Sequence, residues 1–370
     1  MNRRPQKSRS GYDSFSPRHV AHFKVSSPDT GFFESPKKRK TGRTVLLAAL
    51  LIVALVLLGN LIVNQFVQVR TVNVPVKGLD EAFDGFTILH ISDLKGASFG
   101  RDQSLLAMAL KDRAFDLVVL TGDMISARGN AQPLYTLLDV LREQAPGVPV
   151  YFIAGDSDPE PASMDYAAGG SPFAPWVLGA QQRGATLLSA PQRIERGSQT
   201  LWLTTGAHLS LDIDTMQPQF EASYRRAMQS GDENEIELAT YNLSWLSATR
   251  ESRQAMGEGD VYLTATHVPP TDNDLTGSLA QRIDLLLCGH YLGGLVRLPL
   301  AGPVFIPSQS LPLYGLFPGA DTYAGLSRRG TTYIHTSTGL GSRDDLYPGF
   351  FFRLFNPPSV TLLTLTMSTI

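Results

Sequence analysis

Val45 to Val63 is a run of 19 residues with no charge and one polar side chain, Asn60. As a helix it measures about 28 Å, close to the thickness of a bilayer's hydrocarbon core. It is apolar on every face, unlike the single stripe of a helix in a soluble core. The run predicts a membrane-spanning helix over 44–67. From residue 72 onward the pattern changes. Thr87 to Ile91, Leu117 to Leu120, Val150 to Ile153, Leu201 to Leu203, Val261 to Leu263 and Ile283 to Cys288 are short apolar runs. They predict strands buried on both faces. Between them, Asp102 to Arg113, Pro133 to Gln144, Phe220 to Gln229 and Leu243 to Met256 carry helical spacing. Strand-like runs return at Thr332 to His335 and Val360 to Leu365. This alternation predicts one layered α/β domain over 72–370, with no internal repeat.

Charge adds a direction. Residues 1–43 are rich in Ser, Pro, Lys and Arg, lack apolar periodicity and read as a disordered tail. They hold eleven Lys/Arg against three Asp/Glu, while the whole chain of 370 residues has a net charge of −2. No nucleic-acid partner is expected from that balance. The cluster Lys37-Lys38-Arg39-Lys40, with Arg43, abuts the apolar run. A basic flank stays in the cytoplasm, so the expected topology is a single pass of the cell membrane with the large domain outside. A cleaved signal fits poorly, because the basic region is long and Asn64-Gln65-Phe66-Val67-Gln68 offers no small-x-small cleavage site. The single cysteine, Cys288, lies in an apolar run and reads as core filler; disulfide scaffolds and cysteine zinc sites are excluded.

The candidate chemistry sits in five loops, each after an apolar strand. They are Ser92-Asp93-Leu94-Lys95, Thr121-Gly122-Asp123, Gly155-Asp156-Ser157-Asp158, Thr266-His267-Val268-Pro269 and Cys288-Gly289-His290-Tyr291-Leu292-Gly293-Gly294. Function collects at the carboxyl ends of strands in layered α/β sheets. Asp93, Asp123, Asp156, His267 and His290 make a mixed oxygen/nitrogen ligand set that suits Mn, Fe or Zn. Singly, each has a plainer reading as a turn, a cap or a satisfied polar group. Gly122, Gly155 and Gly289 precede three of them and let the backbone turn tightly. There is no P-loop and no dinucleotide fingerprint after a strand.

The order and spacing of these loops resemble the calcineurin-like metallophosphoesterases. The likeness is closest to their membrane-anchored bacterial branch through Ile91-Ser92-Asp93-Leu94, Leu120-Thr121-Gly122-Asp123, Gly293-Gly294 and Phe355-Asn356-Pro357-Pro358. It covers about residues 72–370. It implies a four-layer α/β/β/α sandwich and two metals about 3.5–4 Å apart that clamp a phosphoryl group. Carried over by position, the first metal keeps Asp93 and Asp123, but its two histidine positions hold Lys95 and Leu292. The second would use Asp123, Asp156 (asparagine in the family), His267 and His290. The family's catalytic histidine position is Ser157, so no catalytic residue is assigned, and a further motif Asp is Ser126. The expected cofactor is one divalent ion or none.

Lys95 has two readings, an ammonium replacing a cation beside Asp93 and Asp123, or a solvent-facing side chain. His208 and His335 are expected as partly buried polar groups, and His90 faces the packing side. The insertion between His208 and Leu243 reads as a lid, a partner surface or a solvated helix and loop. Three functions stay open. One is a degenerate phosphoesterase fold that binds a phosphorylated small molecule or lipid headgroup with impaired or lost hydrolysis. Another is an active phosphoesterase acting on a phosphate ester or lipid-linked phosphate. The third is an envelope protein whose tail recruits partners.

Overall fold

A computed structural model describes residues 41–126, 128–163, 165, 171–271, 282–298, 302–306, 316–318, 323–342 and 353–368. Residues 1–40 of the expected tail lie outside them. Helix α1 (Thr41–Val63) carries its large apolar side chains exposed on all sides. It ends four residues short of the expected 67, and the first strand, β1 (Gln68–Val76), starts ahead of residue 72.

The remaining strands are β2 (Thr87–Ile91), β3 (Leu117–Thr121), β4 (Val150–Ile153), β5 (Ala185–Leu187), β6 (Gln192–Arg196), β7 (Gln199–Thr205), β8 (Val261–Ala265), β9 (Leu285–Cys288), β10 (Val296–Leu298), β11 (Gly302–Phe305), β12 (Gly325–Arg329), β13 (Thr332–Thr336) and β14 (Ser359–Met367). The other described helices are α2 (Ser104–Leu110), α3 (Gln132–Gln144), α4 (Pro175–Gln181), α5 (Gly206–Ser210), α6 (Ile213–Ser230) and α7 (Glu233–Ala255), with short 3-10 turns at Glu81–Phe83 and Arg101–Gln103.

Two six-stranded sheets form, in the orders β1-β14-β2-β3-β4-β5 and β12-β13-β9-β8-β7-β6, with β10 and β11 as a separate hairpin. The strands that carry the site loops, β2, β3 and β4 in one sheet and β8 and β9 in the other, run parallel within each sheet. Their carboxyl ends are therefore brought to a common edge.

Alternation along the strands sorts the core into layers. Ile88, Leu117, Val119 and Leu363 face between the sheets, against Leu203, Leu263, Leu285 and Leu287. Leu89, Ile91, Val118, Leu120 and Phe152 face outward onto Leu106, Leu137 and Trp176 of α2, α3 and α4. On the outer face of the second sheet, Leu209 of α5 packs on Leu286, Cys288 and Ile334. The layer order is the expected α/β/β/α, and each fully buried leucine contributes about 1.5–3 kcal/mol.

Three helices differ in extent from the pattern. The α2 segment is shortened because the buried Gln103 side chain binds Phe99 N, Ala97 O and Pro133 O, which holds that residue in a left-handed turn. The other two start earlier than expected. Asp212 caps Thr215 N, and Asp232 caps Asn234 N and Glu235 N. The acidic Asp232-Glu233-Asn234-Glu235 stretch is thus a helix start, as cap chemistry favours.

His90 and His335 meet between the two sheets, with Nδ1 atoms 2.7 Å apart, and His90 Nε2 lies 2.8 Å from Thr121 Oγ1. His208 closes a capping box with Thr205. Burial holds His90 well below the usual imidazole range, lowers His335 to about 3 and lowers His208 to about 4. Depressed values mean that the unfolded chain takes up protons which the fold refuses. The stabilisation is complete above the unfolded imidazole value near 6.5 and is lost as pH falls toward 3–4. The unfolding temperature in calorimetry is therefore expected to drop by several degrees between pH 7 and pH 4. Substituting His90→Asn with His335→Asn should flatten that slope. An unchanged slope would assign the acid loss to other groups.

Candidate metal centre

Asp93, Asp123, Asp156, His267 and His290 each follow a strand end, on β2, β3, β4, β8 and β9. The backbone here is strained in a common way. Asp93, Lys95, Asp123, His290 and Leu292 have φ of 50°, 47°, 56°, 73° and 55°. Such left-handed backbone costs an L-residue about 1–2 kcal/mol, and it gathers at functional sites. Gly155 packs against the Asp123 turn so closely that a Cβ there would collide with the Asp123 amide and carboxylate.

The partners of each group define the electrostatics. Asp93 Oδ2 accepts from Ser92 Oγ at 2.6 Å and from the His290 amide at 3.1 Å. Its Oδ1 is buried with no hydrogen-bond partner. Asp123 Oδ1 accepts from the Ser157 amide at 2.8 Å. Asp123 Oδ2 accepts from Lys95 Nζ at 2.6 Å. The same ammonium donates to Ser157 Oγ at 3.1 Å. The Lys95 side chain is 5% exposed, which overturns the solvent-facing reading.

His267 Nδ1 donates to the Thr121 carbonyl at 2.8 Å, so the neutral ring presents a bare Nε2 lone pair. That Nε2 lies 3.2 Å from Asp123 Oδ2 but lacks the alignment of a hydrogen bond. Burial opposes a charge on His267, yet Asp123 and Asp93 outweigh it and raise the ring to about 9, so a cation would take Nε2 by displacing the proton held there. Burial likewise opposes ionisation of Asp123, but His267 and Lys95 hold its carboxyl well below the usual range. His290 Nδ1 stands 3.2 Å from Asp156 Oδ2; burial, then the nearby His267, lower its affinity for a proton.

Among the described residues, two groups of ligand atoms emerge, each with its atoms within 4.8 Å of one another: Asp93, Asp123 and His267, and Asp156, His267 and His290. The four residues expected for one metal are thus divided. Asp123 is turned toward Lys95, and His267 is shared. The residues fit a cation. Asp93 Oδ1 and His267 Nε2 are buried and unpartnered in one group. An orphaned buried polar atom costs about 1–3 kcal/mol, which a bound cation would relieve. The oxygen/nitrogen set matches first-row divalent ions. Leu292 is buried at 1% and offers no ligand. Ser126 Oγ accepts from the Asn130 amide. His208 and His335 belong to neither group.

Residues 86–293 match the calcineurin-like phosphoesterase family. The chain belongs to that family. Among curated relatives, the uncharacterized metallophosphoesterase YkuE of Bacillus subtilis is 24% identical over 78% of this chain and 81% of its own length. The phosphodiesterase YaeI of Escherichia coli is 38% identical over 82 residues, 22% of this chain and 25% of that protein. The solved phosphopantetheinyl hydrolase PptH of Mycobacterium tuberculosis is 13% identical with a TM-score of 0.35, covering 75% of this chain and 98% of that one.

Within this metallophosphoesterase fold, three positioning residues had no role assigned from the sequence: Asp158 and Asn356, quoted only as parts of motifs, and Arg353, outside them. Asp158 ties two loops together, accepting from the Ile125 amide at 2.8 Å and the Gly155 amide at 2.9 Å. Arg353, fully buried, donates to the carbonyls of Asn356, Gly341, Thr338 and Leu292. Asn356 donates to Leu292 O and Gly294 O. The carbonyl of Arg353 itself accepts from Asn60 and Asn64 at the end of α1. The Gly339 to Gly341 turn closes on Asp93, with the Gly341 amide bound to Asp93 O at 2.6 Å. Arg353 thereby braces both walls of the centre, the His290 loop and the turn behind Asp93. A second Asp after Gly155 was the only sequence signal for Asp158, and an Asn-Pro-Pro turn the only one for Asn356.

Proposed function

We propose that this is a membrane-anchored phosphoesterase-fold protein whose centre binds a phosphorylated ligand, with impaired or lost hydrolysis. The observation that carries this reading is the buried 2.6 Å pair of Lys95 and Asp123, which puts a fixed ammonium where the family resemblance calls for a metal ligand. One divalent ion (Mn, Fe or Zn) fits at His267, with His290 and Asp156 on one side and Asp123 and Asp93 on the other. Such an ion supplies Lewis-acid polarisation of a phosphoryl oxygen. The Lys95 ammonium, bonded to Asp123 and Ser157, adds a fixed positive charge that attracts a phosphate oxygen. Ser157 Oγ cannot deliver a proton near neutral pH as an imidazole does, and that loss is worth about 10²–10⁴ in rate. The ligand class is a phosphorylated small molecule or a lipid headgroup.

Helix α1 is long and apolar enough to cross a membrane. In this reading it crosses the cell membrane once, with the basic tail cytoplasmic and the large domain outside. A second reading, an active phosphoesterase, draws on the unpartnered Asp93 Oδ1 and His267 Nε2, since both are presented to a cation.

The full chain, purified in detergent, is expected to hold at most about one divalent ion and to hydrolyse bis-(p-nitrophenyl) phosphate near background with added Mn²⁺. Turnover of roughly 1 per second or faster, in the range of ordinary enzymes, would establish the second reading instead.

A further inference from the structure

Outside α1, nine large apolar side chains of the described residues are exposed. Four of them stand singly, Met108 on α2, Met228 on α6, Met367 on β14 and Val268 in the loop after β8. The other five, Phe66, Leu298, Leu316, Phe317 and Phe355, are 51%, 43%, 48%, 74% and 44% exposed. They fall on one hydrogen-bonded succession of segments. Phe66 follows the last turn of α1, and Gln68 N donates to Pro358 O. Phe355 N donates to Asn60 Oδ1 in that last turn. Next, Leu354 exchanges backbone bonds with Leu295 and Arg297 at the start of β10. Strand β10 pairs with β11, and β11 bonds in turn to Leu316 and Phe317.

We propose that Phe66, Leu298, Leu316, Phe317 and Phe355 form a collar that seats the domain on the lipid surface where α1 leaves the bilayer. The proposal rests on the membrane-anchor reading of α1. Clustered exposed apolar residues mark a contact surface, whereas scattered ones do not. The occupant follows from what the cluster adjoins. The last turn of α1 is bonded into these very segments, and α1 exposes apolar side chains on all faces, which only hydrocarbon covers on every side. Phenylalanine and leucine on a surface element bury into the boundary between headgroups and acyl chains. The collar also adjoins the metal centre, because Asn356, next to Phe355, holds Leu292 O and Gly294 O of the His290 loop. Seating the collar therefore places that loop beside the headgroup layer.

The native thiol Cys288 is fully buried, so an introduced surface cysteine takes a nitroxide label selectively. Full-length Phe317→Cys, Phe355→Cys and Leu298→Cys variants would be labelled and placed, one chain per disc, in phosphatidylethanolamine/phosphatidylglycerol nanodiscs. Met108→Cys on α2 serves as the water reference, and Leu51→Cys within α1 as the hydrocarbon reference. Collisional broadening by oxygen is expected to exceed that by a water-soluble nickel chelate at all three collar positions, and the reverse at Met108. Collar labels as nickel-accessible as Met108, with Leu51 in hydrocarbon, would overturn the collar while leaving the anchor standing. Nickel access at Leu51 as well would overturn the anchor and the collar with it. Protection that appears only when discs hold two chains would replace lipid by a second copy and also overturn the proposal.

Discussion

Replacing Lys95 and Leu292 together by histidine is expected to raise the divalent metal held by the full chain by about one ion. The ammonium of Lys95 occupies Asp123 Oδ2 at 2.6 Å inside a buried site. Two unit charges about 4 Å apart repel by on the order of 4 kcal/mol at an effective dielectric of ~20. Removing the ammonium should therefore improve affinity for a cation between Asp93, Asp123 and His267 by about 10²–10³. Both backbone positions already sit in left-handed turns, at φ 47° and 55°, so the new rings need no rearrangement of the chain. Histidine tolerates that region better than leucine does. Lys95→Met separates the two contributions. It removes the repulsion without adding a ligand, and should tighten metal binding by less than the double substitution. Elemental analysis after dialysis against a graded chelator reads both. Metal content unchanged in both variants would show that Lys95 does not compete with a cation.

Arg353→Leu is expected to destabilise the fold by about 4 kcal/mol, a large part of the ~5–15 kcal/mol typical of a domain. Its guanidinium donates to four carbonyls and is fully buried, and burial lowers its affinity for the proton to about 9. A cation in that setting is costly to hold, but leaving its acceptors bare costs more, at about 1–3 kcal/mol for each unsatisfied group. Lysine keeps the charge and loses the planar fork, so Arg353→Lys should recover only part of the stability. It should also weaken metal binding, because the His290 loop and the turn behind Asp93 share this brace. Denaturant midpoints in detergent read the first effect and metal titration the second. A loss below about 1 kcal/mol for Arg353→Leu would show that water or relaxation satisfies those carbonyls.

How much of this was readable beforehand depended on where each interaction keeps its information. Strands such as Leu117 to Thr121 are buried along their whole length, and a continuous apolar run records that directly. The five loops were legible because their residue types follow strands one by one. The early starts of α6 and α7 were missed because Asp212 and Asp232 were not weighed as caps. Arg353 left no trace in composition, since its four acceptors among the described residues are backbone carbonyls that any residue could supply. The His90–His335 pair joins two sheets from positions 245 apart, and local periodicity carries no information on such a pairing. The division of the ligand set turned on which way Asp123 points, and that is decided by the lysine across from it.

The way α1 joins the folded body has a consequence for how the site meets its ligand. Asn64 is 2% exposed, its amide is spent on Arg353 O, and strand pairing begins at Gln68. Only four residues lie between helix and strand, and they leave no slack chain at the junction. A flexible linker would let the domain sweep a volume and trade effective concentration for reach. Here the joint is a post rather than a leash. With α1 in the membrane, as proposed above, ligands would be met close to the bilayer by lateral diffusion in two dimensions, and lengthening the junction would dilute the encounter instead of widening it.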